Sequence, residues 1–389
     1  MNLSRSIRPG STRPRPARTG TARRSVALLG SLLACTIPLT VVVAGTGGAA
    51  HAASQTCLTG RLTYTFADAE GIAAGVQPVR NASWELRGVP SGSSSTKTLA
   101  TGTTSASDGT FQACAAYAAL SSASVRFTSQ SNQMWRVIAS DRGAVHSFDT
   151  ATKTNVTGNV DLGTVSPTAS TAGAFKIVDT LNKLYWKRGT TSPCWTWHQT
   201  TTSTCKELTV VWNSTTTDGG YWSPSTTYVY LAKDDPASQH LILHEAGHWF
   251  QWALYNGWFP KVTGCNPHYV DRESTVSCAW TEGFANAVAG YVLGDKRYVR
   301  PDGSVVPYQQ ADGSPWPGGD ATEGNVAAAL IDLFKLDGGT GGDWSGDLDM
   351  ISRDGSDDFR EYYVTDRPAH GYSVTGEAER IINSHGIDY

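Results

Sequence analysis

The 389-residue sequence predicts an all-β sandwich followed by an α+β domain, with an N-terminal segment of different composition ahead of both. Between residues 54 and 163, short alternating apolar runs are separated by Gly, Ser and Asp turns. A stretch rich in Ser, Thr and Ala follows at 165–173 and is the expected linker. After it, apolar residues recur at helical spacing and alternate with strand-like segments. Such a mixture is typical of an α+β domain.

The N-terminal segment, residues 1–52, has the features of a signal peptide. It carries seven of the chain's 31 basic residues and no acidic one, and its arginine-rich start is followed by an uncharged apolar run. An A-x-A pattern at residues 50–52 predicts cleavage before Ala53 and a secreted mature chain. A membrane anchor is the alternative, because the uncharged run is long enough to span a bilayer. Gly30 and Pro38 interrupt that run and favour the signal peptide.

The charge of the remaining chain limits its partners. It has 24 basic and 34 acidic residues, a formal charge of −10. Because binding to phosphates needs dense Lys and Arg, nucleic acid is not expected as a partner. No second apolar segment of spanning length occurs, so we expect no stable membrane insertion after cleavage.

Six cysteines remain after the predicted cleavage, because Cys35 lies in the signal peptide. An even number of cysteines in an exported chain favours disulfides. Because the sequence contains no C-x-x-C pair, a cysteine-based zinc site is not expected. Other pairings stay open, but proximity in the sequence predicts three bridges: Cys57–Cys114, Cys194–Cys205 and Cys265–Cys278.

Residues 53–165 are predicted to be the sandwich. The expected strands lie at 58–66, 82–86, 98–103, 110–114, 124–128 and 135–138. Asp108-Gly109 supplies a tight turn before Thr110 and Phe111. Through this turn the region resembles the transthyretin-like or carboxypeptidase-regulatory sandwiches. We expect it to be a folding or spacer module without a ligand of its own.

The most informative motif in residues 166–389 is His244-Glu245-Ala246-Gly247-His248. Asp235-Pro236 ahead of it predicts a helix start, with the aspartate as N-cap. Histidines four apart lie on one helix face, so both rings can bind the same ion. The glutamate between them can take a proton from a metal-bound water, as in zinc hydrolases. We therefore expect Zn²⁺ on the two histidines, with Glu245 as general base.

The third ligand separates the classes of zinc peptidase. Metzincins need Gly at position 251 and His at position 254, where this chain has Gln251 and Leu254. Glu282 lies in the segment Trp-Thr-Glu-Gly-Phe-Ala, which begins a second helical run. With this segment the sequence resembles the gluzincin metallopeptidases, among them the thermolysin-like peptidases and the gluzincin aminopeptidases. The resemblance implies a zincin-like metallopeptidase domain, Glu282 as third ligand and a peptide or protein substrate.

The match departs from those families in the spacing, because Glu282 follows His248 by 34 residues. A disulfide-closed excursion between the two helices would account for the length. Asn286, one turn after Glu282, is either a hydrogen-bond partner of a ligating histidine or an ordinary polar helix position. Three rival ligands lie in the gap without helical spacing, and a surface role is expected for each: His268, Asp271 and Glu273.

Hydrolysis also needs a donor for the oxyanion. In gluzincins a later Tyr or His supplies it, and this chain offers Tyr291, His370 and Tyr372. The spacing does not select among them; His370 or Tyr372 is the candidate, and a packing role is the alternative. The strand expected at 227–232 precedes the metal helix and is predicted to be the edge on which an extended peptide adds.

Two further features concern ligands. An acidic, glycine-rich stretch can bind Ca²⁺ or form a solvated loop: Asp343, Asp347, Asp349, Asp354, Asp357 and Asp358. Several tryptophans near the metal motif are expected mainly in the core, although aromatic side chains also stack on sugars, which leaves contact with a cell-wall or glycan substrate open.

The leading hypothesis is therefore a secreted zinc endopeptidase. An aminopeptidase is a second enzymatic hypothesis, although residues 225–243 contain no exopeptidase glycine motif. The third is an extracellular binding or adhesion protein in which the β-sandwich carries the function. The intact Glu245 weighs against it, because a scaffold needs no general base.

Overall fold

The computed structural model describes residues 55–71, 75–132, 134–201, 205–339 and 342–389. The predicted signal peptide lies outside the described residues. Within the described ranges, no helix combines the length and the apolar character needed to cross a membrane. The predicted order, a β-rich region followed by a mixed α+β region, is confirmed.

Two sheets form the β-rich region. In the first, β1 (Thr56–Tyr64) pairs in parallel with β11 (Asn159–Val165) and antiparallel with β5 (Thr110–Ala115) and β2 (Gln77–Pro78). The second has the order β10 (Lys153–Thr157), β6 (Ala119–Thr128), β3 (Ser83–Pro90), β4 (Lys97–Thr103), with β9 (Ser147–Asp149) also on β6. Buried and partly exposed residues alternate along β3, as expected for a strand with one core face. Phe111 and Phe127 join the two sheets, with ring centroids 5.0 Å apart.

A third sheet belongs to the α+β region and has the order β13 (Tyr221–Ser223), β14 (Tyr228–Leu231), β12 (Leu208–Trp212), β8 (Trp135–Ile138), β7 (Gln130–Ser131). The sequence predicts that the strand at 135–138 belongs to the sandwich, but β8 pairs in parallel with β12 instead. The physical reason is the packing of Trp135 against helix Ala169–Lys187 of the α+β region. The Trp135 side chain is buried, and its indole N–H donates to the Val178 carbonyl of that helix, 3.1 Å away.

The helices of this region include the metal helix and the second helical run, with Glu282, that the sequence predicts. They are α1 (Ala169–Lys187), α2 (Trp197–Thr201), α3 (Gln239–Leu254), α4 (Val276–Leu293), α5 (Glu323–Asp337), α6 (Ser345–Asp354), α7 (Arg367–Ala369) and α8 (Glu377–Ser384), with a hairpin of β15 (Arg297–Val299) and β16 (Val305–Pro307) between α4 and α5. Much of the expected linker is the first turn of α1, because Ala172 and Ala174 are buried there.

The start of α3 differs from the prediction. Ser238 is the N-cap, and its hydroxyl accepts a hydrogen bond from the Leu241 N–H at 2.9 Å. Asp235 instead begins a single 3₁₀ turn and accepts from the Ala232 N–H at 2.6 Å. The Asp-Pro pair therefore begins a separate 3₁₀ turn, and the metal helix starts after it, at Gln239.

The first turn of α3 is also tied to the β-rich region. The buried ring of His240 lies between two carboxylates, with Nδ1 3.2 Å from Glu70 Oε1 and Nε2 2.9 Å from Asp295 Oδ1. Glu70 Oε1 accepts the backbone N–H of Gln239 at 2.6 Å as well. These contacts fix the helix at the end from which the metal motif continues.

Two glycines let α3, α4 and α5 approach closely. A Cβ on Gly247 would lie 2.9 Å from the Ala285 Cα, and one on Gly283 would lie 2.7 Å from the Val326 Cβ. Both distances are below ordinary contact, so only glycine fits at these crossings. Gly247 lies inside the histidine motif, and Gly283 follows Glu282. The glycines therefore bring the predicted ligands of α3 and α4 together.

The described residues contain three disulfides, which are the three pairs that sequence proximity predicts: Cys57–Cys114, Cys194–Cys205 and Cys265–Cys278. The first joins β1 to β5 at directly paired positions. The third closes the excursion between α3 and α4, which the length of the gap had suggested.

Candidate metal centre

Two histidines of α3 and one glutamate of α4 meet in the interior. Glu282 Oε2 lies 3.1 Å from His244 Nε2 and 3.3 Å from His248 Nε2. Two ligands at about 2.0–2.1 Å from a tetrahedral zinc ion are about 3.3 Å apart. The three atoms are therefore spaced as ligands of one ion.

The surroundings of the histidines also suit a metal. His244 Nδ1 is 2.9 Å from Asn286 Oδ1, so the Nδ1–H of the ring can donate to this oxygen. In that tautomer Nε2 carries no proton, and its lone pair is free to bind a metal ion. Neither ring nitrogen of the buried His248 has a hydrogen-bond partner among the described residues. Because buried polar groups are normally paired, a cation is a suitable partner for this ring.

Glu245 lies beside the ligands, with Oε1 4.0 Å from His244 Nε2. Burial is the first cause that raises the pKa of its carboxyl well above the ordinary value, and the charges of Glu282 and Asp235 add to it, whereas the backbone N–H of Trp222 on β13 opposes it. Glu282 behaves oppositely: burial raises its pKa, but His268, His248 and His244 outweigh burial and hold it well below its ordinary value. One carboxylate is thus favoured for holding a proton and the other for binding a cation.

Two residues near this group were not predicted to be there. His268 is buried, so the expected surface role is wrong; its Nδ1 lies 3.9 Å from Glu282 Oε2 and 2.7 Å from Glu323 Oε1. Burial lowers the pKa of His268, but the charges of Glu282 and Glu323 outweigh it and raise it to about 10. Tyr298 of β15 is also buried, with its ring centroid 5.6 Å from that of His244. No spacing rule in the sequence indicated either residue.

The other sequence candidates lie elsewhere. Asp271 and Glu273, the remaining rival ligands, are partly or fully exposed. His370 Nε2 is 2.6 Å from Asp354 Oδ2, and the Tyr291 hydroxyl donates to the Gly342 carbonyl. The Tyr372 ring packs with the Arg367 guanidinium 5.4 Å from its centroid. The contacts of these three residues involve the C-terminal helices and loops, and an oxyanion role for His370 or Tyr372 stays a prediction.

The acidic stretch does not support the calcium hypothesis. Three of its aspartates already have side-chain partners: Asp347 pairs with Arg367, Asp349 pairs with Arg353, and Asp354 contacts the His370 imidazole. In the part of the chain that the structure describes, no clustered set of ligand atoms includes this stretch.

The centre is enclosed. His244, Glu245, His248 and Glu282 are each at most 3% exposed. Phe259, from the segment between α3 and α4, packs against Trp222 at 4.9 Å and against the His248 ring at 6.3 Å, between centroids. In the same segment, Cys265 Sγ lies 3.7 Å from Glu282 Oε1. The segment between α3 and α4 therefore covers the ligands.

The prediction that 227–232 is an edge strand is wrong. β14 pairs with β12 on one side and β13 on the other, so β13 is the terminal strand of the sheet. The physical cause is the turn at 224–227, where Thr227 has a φ of 62° and reverses the chain into an antiparallel pair.

The sequence matches the family models of the mycolysin middle domain over residues 57–174 and of the mycolysin C-terminal domain over residues 188–386. No curated protein matches it. Among solved structures, a 9R-lipoxygenase from Cyanothece PCC8801 shares 16% identity over 38% of this chain and 25% of that chain, with a TM-score of 0.19. That score is too low to indicate a common fold.

Proposed function

The chain belongs to the mycolysin family, and from this premise we propose that it is a secreted zinc endopeptidase. His244, His248 and Glu282 would hold the ion. The observation that carries the proposal is the convergence of Glu282 Oε2 on the two Nε2 atoms at 3.1 and 3.3 Å, with Glu245 beside them. Three extracellular-type disulfides support export.

A zinc ion held by these residues supplies a Lewis acid that makes water nucleophilic at neutral pH. Glu245 accepts the proton of the attacking water and passes it to the amide nitrogen that leaves. The position of Glu245 suits this transfer, because its Oε1 lies 4.0 Å from His244 Nε2, on the side where the ion would be held. The Asn286 side chain fixes the His244 ring, because its Oδ1 accepts a hydrogen bond from the Nδ1–H of the ring.

An extended peptide would bind along β13. This strand ends its sheet, and the backbone N–H of Trp222 reaches the Glu245 carboxylate. A strand added at such an edge forms backbone hydrogen bonds that do not depend on the side-chain sequence. Because Phe259 covers Trp222 and His248, the segment between α3 and α4 must move before a substrate reaches the centre.

The test is cleavage of a mixed peptide library by residues 53–389, with and without a zinc chelator. Glu245→Gln should retain zinc and lose cleavage, whereas Glu207→Gln, a half-buried glutamate paired with Arg136, should cleave normally. Cuts within peptides indicate an endopeptidase, and stepwise loss from the N-terminus indicates an aminopeptidase. Cleavage that survives Glu245→Gln or the chelator would overturn the proposal. A folded, zinc-loaded chain that cuts nothing would favour a binding role for the β-sandwich.

A further inference from the structure

His268 and Glu323 form a buried pair beside the proposed metal ligands. His268 lies in the segment between α3 and α4, and Glu323 is the first residue of α5. His268 Nδ1 is 2.7 Å from Glu323 Oε1, which is the distance of a charge-assisted hydrogen bond. Both side chains are buried, and the second carboxylate oxygen, Glu323 Oε2, has no hydrogen-bond partner among the described residues.

The short distance argues against a second metal ion between these residues. Together with Glu282, they have ligand atoms within 4.8 Å of one another. However, two ligands of a tetrahedral zinc ion are about 3.3 Å apart, well beyond 2.7 Å. His268 and Glu323 are therefore spaced to share a proton and not to share an ion.

The backbone holds this pair in place. The Gly324 N–H donates to the Val270 carbonyl at 2.9 Å, and the Ser274 N–H donates to the Ala321 carbonyl at 2.8 Å. These bonds attach the segment that carries His268 to the first turn of α5. The N-terminal end of a helix also favours a negative charge, which suits Glu323 at this position.

His268 brings this pair to the Glu282 carboxylate, beside the two ligand histidines. Glu282 Oε2 has the two ligand histidines at 3.1 and 3.3 Å and His268 Nδ1 at 3.9 Å. Its other oxygen has Cys265 Sγ at 3.7 Å. The carboxylate is thus confined between the histidines of α3 and the covering segment.

We propose that His268 and Glu323 are positioning residues that hold the Glu282 carboxylate in its metal-binding orientation. His268 forms the wall that keeps Oε2 against the two histidines, and Glu323 fixes the His268 ring. This inference rests on the proposed function, because it assumes that Glu282 binds zinc. It concerns the affinity for the ion and assigns no contact with substrate.

The test measures the zinc dissociation constant of the full mature chain by competition with a chromophoric chelator. His268→Gln and Glu323→Gln should each raise it about 10–100-fold, the usual effect of removing a partner that orients a ligand. The double variant should bind about as weakly as the weaker single variant, because the two residues act as a unit. KM for a peptide substrate should stay unchanged.

His385→Gln is the matched control. His385 is equally buried and pairs with Asp332 of the same helix α5, at 2.9 Å, but it joins the C-terminal segment and not the metal centre. It should lower the melting temperature and leave the zinc affinity unchanged. If His268→Gln does not fold, His268→Asn and Glu323→Gln carry the test.

Two results would overturn the inference. One is zinc affinity in the His268 and Glu323 variants equal to that of the parent, whatever their melting temperatures. The other is two zinc ions per parent chain with one lost on either substitution, because the pair would then be ligands. A parent that binds no zinc would overturn the proposed function as well, so the two failures are distinguishable.

Discussion

The contact between Asn286 and His244 allows a quantitative prediction about metal binding. Asn286 is fully buried on α4, and its Oδ1 is 2.9 Å from His244 Nδ1. Asn286→Ala leaves a buried N–H without an acceptor, which costs about 1–3 kcal/mol. If the zinc-bound state bears this cost, the zinc dissociation constant rises about tenfold to hundredfold. Asn286→Asp keeps the acceptor and should retain most of the affinity.

The assay is chelator competition at one fixed pH, with melting temperatures recorded for the zinc-free proteins. Asn325→Ala is the control, because Asn325 is a buried asparagine of α5 whose amide donates to the Trp316 and Gly319 carbonyls, at 2.8 and 3.0 Å. It should lower stability without changing zinc affinity. Unchanged zinc binding in Asn286→Ala, or an equal loss in Asn325→Ala, would refute the reasoning.

Three further predictions concern the framework of the site. Replacing Cys265 and Cys278 by Ser frees a short loop and should cost up to about 3 kcal/mol, with faster zinc loss to a chelator. Removing the Cys194–Cys205 bridge should leave zinc loss unchanged, and equal rates in both variants would contradict a covering role. Gly247→Ala should lower the free energy of unfolding in urea by about 1–3 kcal/mol and weaken zinc binding, because the new Cβ meets the α4 backbone. Unaltered zinc affinity would show that the crossing of α3 and α4 does not set the distances between the ligands. Burial lowers the pKa of His240, but hydrogen bonds to its two carboxylate partners outweigh burial and raise it overall. The contribution of His240 to stability is therefore full below about pH 6.5 and is lost as the pH rises through the folded-state pKa. His240→Asn should therefore cost more stability at about pH 6 than at about pH 9, and an equal cost at both would contradict this assignment.

Local patterns in the sequence were sufficient for the features that depend on neighbouring residues. The spacing of His244 and His248 puts both on one helix face, whatever surrounds the helix. Glu282 was found because its own helical segment resembles a known ligand segment, and the three disulfides join cysteines that follow one another in the sequence. The alternation of apolar residues likewise predicted a β-rich region followed by an α+β region.

Partners from distant parts of the chain could not be predicted in this way. Strand β8 has the same alternation in either sheet, and its contact with α1, where the Trp135 indole N–H donates to the Val178 carbonyl, involves a residue 43 positions away in the sequence. His268 looked like a surface residue because its segment has no helical spacing. Its burial depends on a backbone connection to α5, which begins 55 residues later than His268 in the sequence. Contacts of this kind are decided when helices and loops pack together, and a single sequence carries no local periodicity that reports them.

The sequence alone therefore determined the class of the site, because its residues lie on two short helical segments. One segment carries two imidazoles with a glutamate between them, and the other carries the ligand carboxylate. Only the tertiary structure decided how close the ligands come, which side chains hold them and what covers them. The physical reason is that these properties depend on the crossing of α3, α4 and α5 at Gly247 and Gly283, where helix separation is set by the packing of all three helices at once.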